Sequence, residues 1–281
     1  NSQPMGFYSP SQLVQDARRH NIEVRPVDVL HSDWESTLEA SMGNGSQPAI
    51  RLGLQRVKGM KEDTALRIVI AREKHGIASL EDLAARARLD RGDLARLTEA
   101  GAFKSLSGNR YRTHWTASGI LPDMPLAPDK CAEEDSTYLP APSETDDLRA
   151  DYQSLGLTLG RHPMAILRET EPFNKFRTAA DISGLNHGRF VQVAGIVTGR
   201  QRPSSASGVL FLTLEDEYNN INVIIWTRIL ERYRRAIIGG RLLKVKGVVE
   251  REGRVIHVVA GHVEDMSHYL EHFALASRDF R

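Results

Sequence analysis

A single cysteine, Cys131, in 281 residues rules out two architectures at once. It cannot close an internal disulfide, and with no Cys or His at ligand spacing it cannot anchor a structural zinc site. It reads as an incidental loop thiol. No apolar run approaches the ~20 residues that a membrane span needs. Nor does a secretory signal of charged, apolar and small-residue regions stand at the start. These two absences lead us to expect a cytoplasmic protein. Net charge is also nearly missing, because 37 Lys and Arg against 36 Asp and Glu leave +1. That balance hides an uneven distribution. From Asp129 to Asp151 eight acids face only Lys130 and Arg149, so this stretch carries −6 and the remainder +7. Separated charge of this kind suits basic surfaces that meet phosphate, joined by an acidic tether; a merely solvated surface is the alternative.

Within the basic remainder, the segment Val57-Lys58-Gly59-Met60 stands between Arg51-Leu52-Gly53-Leu54 and the amphipathic run Glu62 to Arg72. It reads as a helix-hairpin-helix turn. A glycine lets the chain turn sharply with backbone N–H groups facing outward, and the next helix adds the positive end of its dipole. A phosphate can then be gripped without any base being read, with Lys58 and Lys61 adding point charges. Taken alone, an x-Lys-Gly-x turn could equally join any two helices. A second unit follows. Ser79-Leu80-Glu81-Asp82-Leu83 starts a helix, and Asp90-Arg91-Gly92-Asp93 turns the chain into a short helix from Leu94 that Gly101 closes. The two hairpins predict a shared core of Leu54, Val57, Ala65, Ile68, Val69, Leu80, Leu83, Leu94, Leu97 and Phe103. Asn109-Arg110-Tyr111-Arg112 begins one more helix, which carries Trp115.

Pro, Ser and acids dominate Gly119 to Thr145 without helical or strand periodicity, which predicts an extended linker. Asp147 to Leu159 then reads as a helix leading into a segment ended by His162-Pro163. Its Gln153-Ser154-Leu155-Gly156-Leu157 string has the look of a sliding-clamp peptide, but the leucines also fit the helix's apolar face. From Arg189 the pattern changes to strands: 190–197, 209–216, 221–226, 242–249 and 255–260, with a helix over Thr227 to Ile237 between the third and fourth. That order is an OB-fold barrel, with Gly195 and Gly247 at mid-strand bends. The expected architecture is therefore multidomain α+β, a tandem helix-hairpin-helix helical domain followed by an OB-fold five-stranded β-barrel. The expected boundaries are 1–49, 50–118 (hairpins), 119–146 (linker), 147–188 (helical connector), 189–268 (barrel) and 269–281 (tail).

An OB barrel holds single strands with a basic groove and aromatic faces on which bases stack. Basic candidates are Arg200 and Arg202 after the first strand, Arg228, Arg232, Arg234 and Arg235 on the helix, Lys244 and Lys246 on one face of the fourth strand, and Arg251 and Arg254 at the last hairpin. Aromatic candidates are Phe211, Trp226, Tyr218 and His257. Phe211 reads equally as barrel core, and His257 reads more readily as a structural histidine among valines. The DNA-binding set is Lys58, Gly59, Lys61, Arg200, Arg202, Trp226, Lys244, Lys246 and Arg251; none of the residues is expected to be catalytic or to hold a metal.

With both domains placed, Ile50-Arg51-Leu52-Gly53-Leu54 through Phe103-Lys104-Ser105-Leu106 resembles the tandem helix-hairpin-helix region of bacterial C-family DNA polymerases. Leu155-Gly156-Leu157-Thr158-Leu159-Gly160-Arg161-His162-Pro163 is similar to the signature before the OB domain in that family. Gln201-Arg202-Pro203 and Ser277-Arg278-Asp279-Phe280-Arg281 resemble the error-prone, damage-induced branch, the ImuC type. Gln3-Pro4-Met5-Gly6-Phe7-Tyr8, Pro26-Val27-Asp28-Val29 and His31-Ser32-Asp33-Trp34 resemble the end of the fingers region. The resemblance implies a C-terminal region lacking the PHP domain and the palm aspartates that hold two magnesium ions. It implies no polymerisation by this chain alone and no tau-binding domain after the barrel. The implied partners are primer–template and single-stranded DNA, the accessory proteins ImuB and ImuA, and the sliding clamp indirectly. Two rivals stay open: a protein-interaction module that recruits the polymerase through ImuB, and an RNA-directed barrel.

Overall fold

Ser9 opens the first unit. Its hydroxyl accepts the Gln12 backbone N–H while the Gln12 side chain accepts the Ser9 N–H, a reciprocal cap that starts α1 (Pro10–Arg19). The structure, a computed structural model, describes residues 9–41, 47–120, 140–203, 208–253 and 255–273. They fall into two units, 1–160 and 161–281, each with its own core. The expected boundaries divide the chain more finely. Of the resemblance motifs, Gln3 to Tyr8 and Ser277 to Arg281 lie outside the described residues, as do Arg254 and Cys131.

After α1 comes a small sheet of β1 (Val24–Arg25), β2 (Thr37–Glu39) and β3 (Ala49–Arg51). The central β3 runs parallel to β1 and antiparallel to β2. Strands this short carry no alternation to read. Val27 and Val29 leave the sheet to join the helical core, and the Val29 N–H donates to the Ala102 carbonyl at 2.9 Å. Gly53 follows where the backbone of Glu35 crosses; a Cβ there would stand 2.3 Å from the Glu35 carbonyl carbon.

A 3₁₀ turn at Leu54–Arg56 and α2 (Glu62–His75) make the first hairpin; α3 (Leu80–Ala87) and α4 (Arg91–Glu99) make the second. Ser79 caps α3 and Asp90 caps α4, each accepting a backbone N–H three residues on. Leu54, Val57, Ala65, Ile68, Leu80, Leu83, Leu94, Leu97 and Phe103 are buried together as the pattern predicts, while Val69 stays half-buried. Each large apolar side chain buried this way contributes about 1.5–3 kcal/mol. Next come α5 (Lys104–Ser107) and α6 (Arg110–Gly119), the latter capped by Asn109 and carrying an exposed Trp115.

Most of the expected linker, 121–139, lies outside the described residues. Its end differs from the expectation. Ser143 and Asp146 form a capping box, so α7 (Glu144–Ser154) starts three residues early and belongs to the helical unit. Its acids act locally: the Arg110 guanidinium, nearly buried, is held by Asp147 and Asp151 and donates to the Glu99 carbonyl at 3.0 Å. α7 also ends early, at Ser154, so Leu155 and Leu157 lie beyond the helix and not on its apolar face; both are nonetheless buried in the core.

The second unit begins with α8 (Pro163–Leu167). His162-Pro163 ends the segment that follows α7, as expected, and also starts the next helix: His162 Nδ1 accepts the Met164 N–H at 3.1 Å and Pro163 takes the first helical position, where its missing N–H costs nothing. A Thr178–Asp181 capping box starts α9 (Ala179–Ser183). Then come β4 (Phe190–Gln201), β5 (Leu210–Glu215), β6 (Asn220–Ile225), α10 (Thr227–Arg232), α11 (Arg234–Gly239), β7 (Leu242–Glu252) and β8 (Val255–Asp265). The strands close in the order β4-β5-β6-β8-β7, with β6 and β8 parallel. Alternate residues such as Val191, Val193, Leu212, Leu214, Val223, Ile225, Val245 and Val258 fill the interior. The single helix expected over 227–237 breaks at Tyr233 into α10 and α11. Gly247 marks a bulge where a Cβ would lie 2.3 Å from the Val259 carbonyl oxygen. The chain is thus α+β, a helix-hairpin-helix unit followed by an OB-fold barrel.

Candidate nucleic-acid interface

The first hairpin turn has the predicted shape. Gly59 adopts φ +77°, the Met60 N–H returns to the Val57 carbonyl at 3.0 Å, and Lys58 and Lys61 extend into solvent without ion-pair partners among the described residues. Lys61 occupies the N-cap of α2 without a side-chain hydrogen bond, so no side chain of its own covers that helix start. Two features narrow the expected cradle. The Lys58 N–H does not face outward but donates to the Ser154 carbonyl of α7 at 2.8 Å. Glu62 and Asp63, in the first turn of α2, also compete with a phosphate for the helix's positive end.

One residue of the turn's surroundings escaped the sequence reading. A Cβ on Gly59 would stand 3.3 Å from Arg96 Nε, and one on Gly92 would stand 3.3 Å from another Arg96 nitrogen. Arg96 therefore lies between the two hairpin turns, held by the buried Asp93 at 2.9 Å. In sequence, Asp93 and Arg96 look like an ordinary i,i+3 surface pair.

On the barrel the basic set divides by what each side chain already does. Arg200 donates through Nε to the Ile237 carbonyl at 2.7 Å and also to the Gly240 carbonyl, fastening the end of α11 to β4. Desolvation there lowers its pKa. Arg251 donates to the Ser183 carbonyl at 2.6 Å and to that of Leu185 at 3.2 Å. Lys244 pairs with Glu264 at 2.9 Å and lies 5.4 Å from the Phe176 ring centre, and its hydrogen bond, aided by its charge, holds the Glu264 carboxyl below the ordinary range. These three act within the fold. The side chains of Arg202 and Lys246 make no hydrogen bond or ion pair among the described residues, nor do those of the exposed Arg228, Arg234 and Arg235 on α10 and α11; Lys246 stands between Gln192 on β4 and His262 on β8. Trp226 is 55% exposed where β6 passes into α10.

Phe211 points outward, not into the core. In register across the strands it meets Ile224, then Val259, then Val248, then Phe190, an exterior apolar row that takes no part in the buried cluster. Phe190 is 64% and Val248 42% exposed. Their place in the row comes from registers that no single strand's pattern reveals. Among the described residues no three His, Cys, Asp or Glu side chains converge as metal ligands. Nor is any helix among them long and apolar enough to cross a membrane.

Paired helical hairpins and an OB barrel define a chain of the nucleic-acid-binding kind. Residues 21–113 match the helix-hairpin-helix motif family and residues 191–266 the OB-fold nucleic acid binding domain family. Along its whole length the chain is similar to error-prone DNA polymerases and is a relative of their C-terminal part. It is 48% identical to that of Pseudomonas fluorescens strain Pf-5 over 290 residues and 50% identical to that of Teredinibacter turnerae over 288. Identity to that of Pseudomonas aeruginosa is 46% over 281 residues. The chain spans about 28% of the length of these relatives. Among solved structures, asparaginyl-tRNA synthetase from Pyrococcus horikoshii matches 33% of this chain at 19% identity, covering 23% of that chain with a TM-score of 0.29, too slight a likeness to carry an argument.

Proposed function

We propose that this chain is the DNA-holding part of an error-prone polymerase acting in damage-induced translesion synthesis. The helical unit grips duplex backbone independently of sequence, and the barrel meets single-stranded template. The observation that carries this reading is the uncapped start of α2, with Lys58 and Lys61 free beside Gly59 and Arg96 at the same turn. Nucleotidyl transfer and its magnesium ions belong to parts of the whole protein that this chain does not cover. On this reading the whole protein works in the cytoplasm, with ImuA, ImuB and, indirectly, the sliding clamp as partners.

The test is fluorescence anisotropy with duplex DNA at two or more salt concentrations. Lys58→Glu with Lys61→Glu should weaken binding uniformly across sequences and lower the slope of log affinity against log salt by about two. An unchanged slope would remove the hairpin from the DNA-binding surface.

A second reading, a barrel that docks ImuB, is favoured by the exposed Phe190–Val248 end of the exterior row. Lys246→Glu discriminates. If it leaves single-strand binding intact while Phe190→Ser abolishes capture of purified ImuB, the barrel is a recruitment surface.

A further inference from the structure

We propose that the cleft between α9 and the first residues of β6 and β8 receives one unpaired nucleobase. This rests on the reading that the barrel meets single strands, and it names where and how one base would be read. The cleft has a volume of about 240 Å³ and is lined by Ser183, Asn220, Asn222 and His257, with Ile182 and Ile256 among its apolar walls. No carboxylate, lysine or arginine lines it, so its chemistry suits a neutral ligand and not a phosphate or a cation.

The Ser183 hydroxyl donates to the Ala180 carbonyl at 2.6 Å and Asn219 Oδ1 accepts the Asn220 N–H at 2.8 Å, but three other polar groups of the lining are unengaged. The side-chain amides of Asn220 and Asn222 make no hydrogen bond among the described residues, and both residues are exposed. His257 Nδ1 is buried without a hydrogen-bond partner among them, an arrangement that a native fold rarely leaves unfilled. An asparagine amide presents a donor and an acceptor side by side, the pattern that pairs with the Watson–Crick or Hoogsteen edge of a splayed base, while aliphatic walls suit a planar ring face.

The cleft is also preformed. The buried Asp216 carboxylate accepts the Ala179 N–H of α9 at 2.6 Å and the Tyr218 and Asn219 N–H groups at 2.9 Å each. One carboxylate therefore fixes the α9 wall to the turn that leads into β6. A peptide strand is the less suitable occupant, because β6 and β8 close on each other at Val223–Val258 and Ile224–Val259 and leave only residues 220–222 and 255–257 unpaired beside the cleft, too short an edge for strand addition. Bases in a duplex present their pairing edges to each other, which leaves single strands as the source.

Fluorescein-labelled oligo-dT, oligo-dC and oligo-dA titrated into the whole chain at fixed salt test this. We expect one homopolymer to bind best. Asn222→Ala should lower that affinity about 5- to 100-fold, the range of one bidentate base contact, and flatten the preference, while leaving duplex binding unchanged. His257→Ala should act in the same direction, with His257→Gln, which keeps a donor and an acceptor, restoring part of the loss. Thermal melts identify any variant that is simply unfolded, and Asn222 is exposed enough to be replaced safely. If single strands bind but neither variant changes affinity or preference, the cleft is not a base site, and the wider reading of the barrel stands. If the unmodified chain binds no single strand, that wider reading fails and takes the cleft with it. If oligonucleotide binding is unchanged but capture of a purified accessory protein falls, the cleft is a peptide site and the proposal is overturned.

Discussion

Arg200 and Arg202 lie two positions apart and carry the same charge, yet they do different work. Arg200 donates to the Ile237 and Gly240 carbonyls at the end of α11, whereas Arg202 projects from the loop after β4 with no protein partner among the described residues. Hydrogen bonds from a charged donor contribute about 1.5–3 kcal/mol. Arg200→Gln should therefore lower the barrel's stability by about 2 kcal/mol in urea unfolding, while single-strand affinity, measured where the variant is folded, stays within about twofold. Arg202→Gln should do the reverse: unchanged unfolding, weaker binding and a salt slope smaller by about one. Equal effects of the two on binding would show that the distinction is false. Nothing in the sequence separates these arginines, because what decides their roles is a helix end more than thirty residues away. The same blindness covers Lys244 and Arg251, whose partners Glu264 and Ser183 come from other elements, and Arg96, whose role depends on two turns meeting. That Lys58 and Lys61 stand exposed beside the turn was legible, because a turn's charges follow from local geometry alone.

At the level of elements, the parts with strong periodicity were readable and the short ones were not. Strand alternation placed all five barrel strands, and Ser79 and Gly101 marked helix ends by chemistry that acts within four residues. The start of α7 was missed although Ser143-x-x-Asp146 is a capping signal, because the acids around it resemble a solvated tether. The three-stranded sheet was invisible for a physical reason: strands of two or three residues cannot stand by their own propensity. What holds them is one carboxylate. Glu39 on β2 accepts from Arg51 on β3 at 2.7 Å and from Arg25 on β1 at 2.6 Å. Hydrogen bonding to Arg51, then to Arg25, with their charges, lowers its pKa to about 2. A folded pKa below the unfolded value of about 4.3 means this stabilisation is complete above that value and is lost as pH falls through 4 toward 2. Glu39→Gln should destabilise the helical unit by about 2 kcal/mol at pH 7 and remove most of the difference from the parent by pH 2. Urea midpoints followed across that interval check this; a constant gap between the two proteins would show that Glu39 is not the fastening group.

At the scale of the whole molecule, the two units on the proposed reading hold different forms of nucleic acid. The helical unit offers cations and backbone N–H groups at a turn but few exposed rings there, which favours phosphates and makes no demand on base stacking. The barrel adds exposed rings to its cations: Trp226 and Phe190 are largely exposed and Phe211 points outward, while Arg202, Lys246, Arg228, Arg234 and Arg235 are without side-chain hydrogen bonds or ion pairs among the described residues. Stacking on an aromatic ring is worth about 1–3 kcal/mol per base and is closed to bases already stacked in a duplex. Trp226→Ala should thus weaken single-strand binding about 5- to 100-fold with little change in salt slope, and leave duplex affinity as it was. Lys58→Glu with Lys61→Glu should do the converse, losing duplex affinity while sparing single strands. On a primer–template, which presents both forms, each variant should lose part of the affinity and the combination more than either. Anisotropy on the three DNA forms with the two variants and their combination decides the matter. If both variants depress duplex and single-strand binding in the same proportion, the units do not divide the work, and a single surface, wherever it lies, must account for all DNA contact.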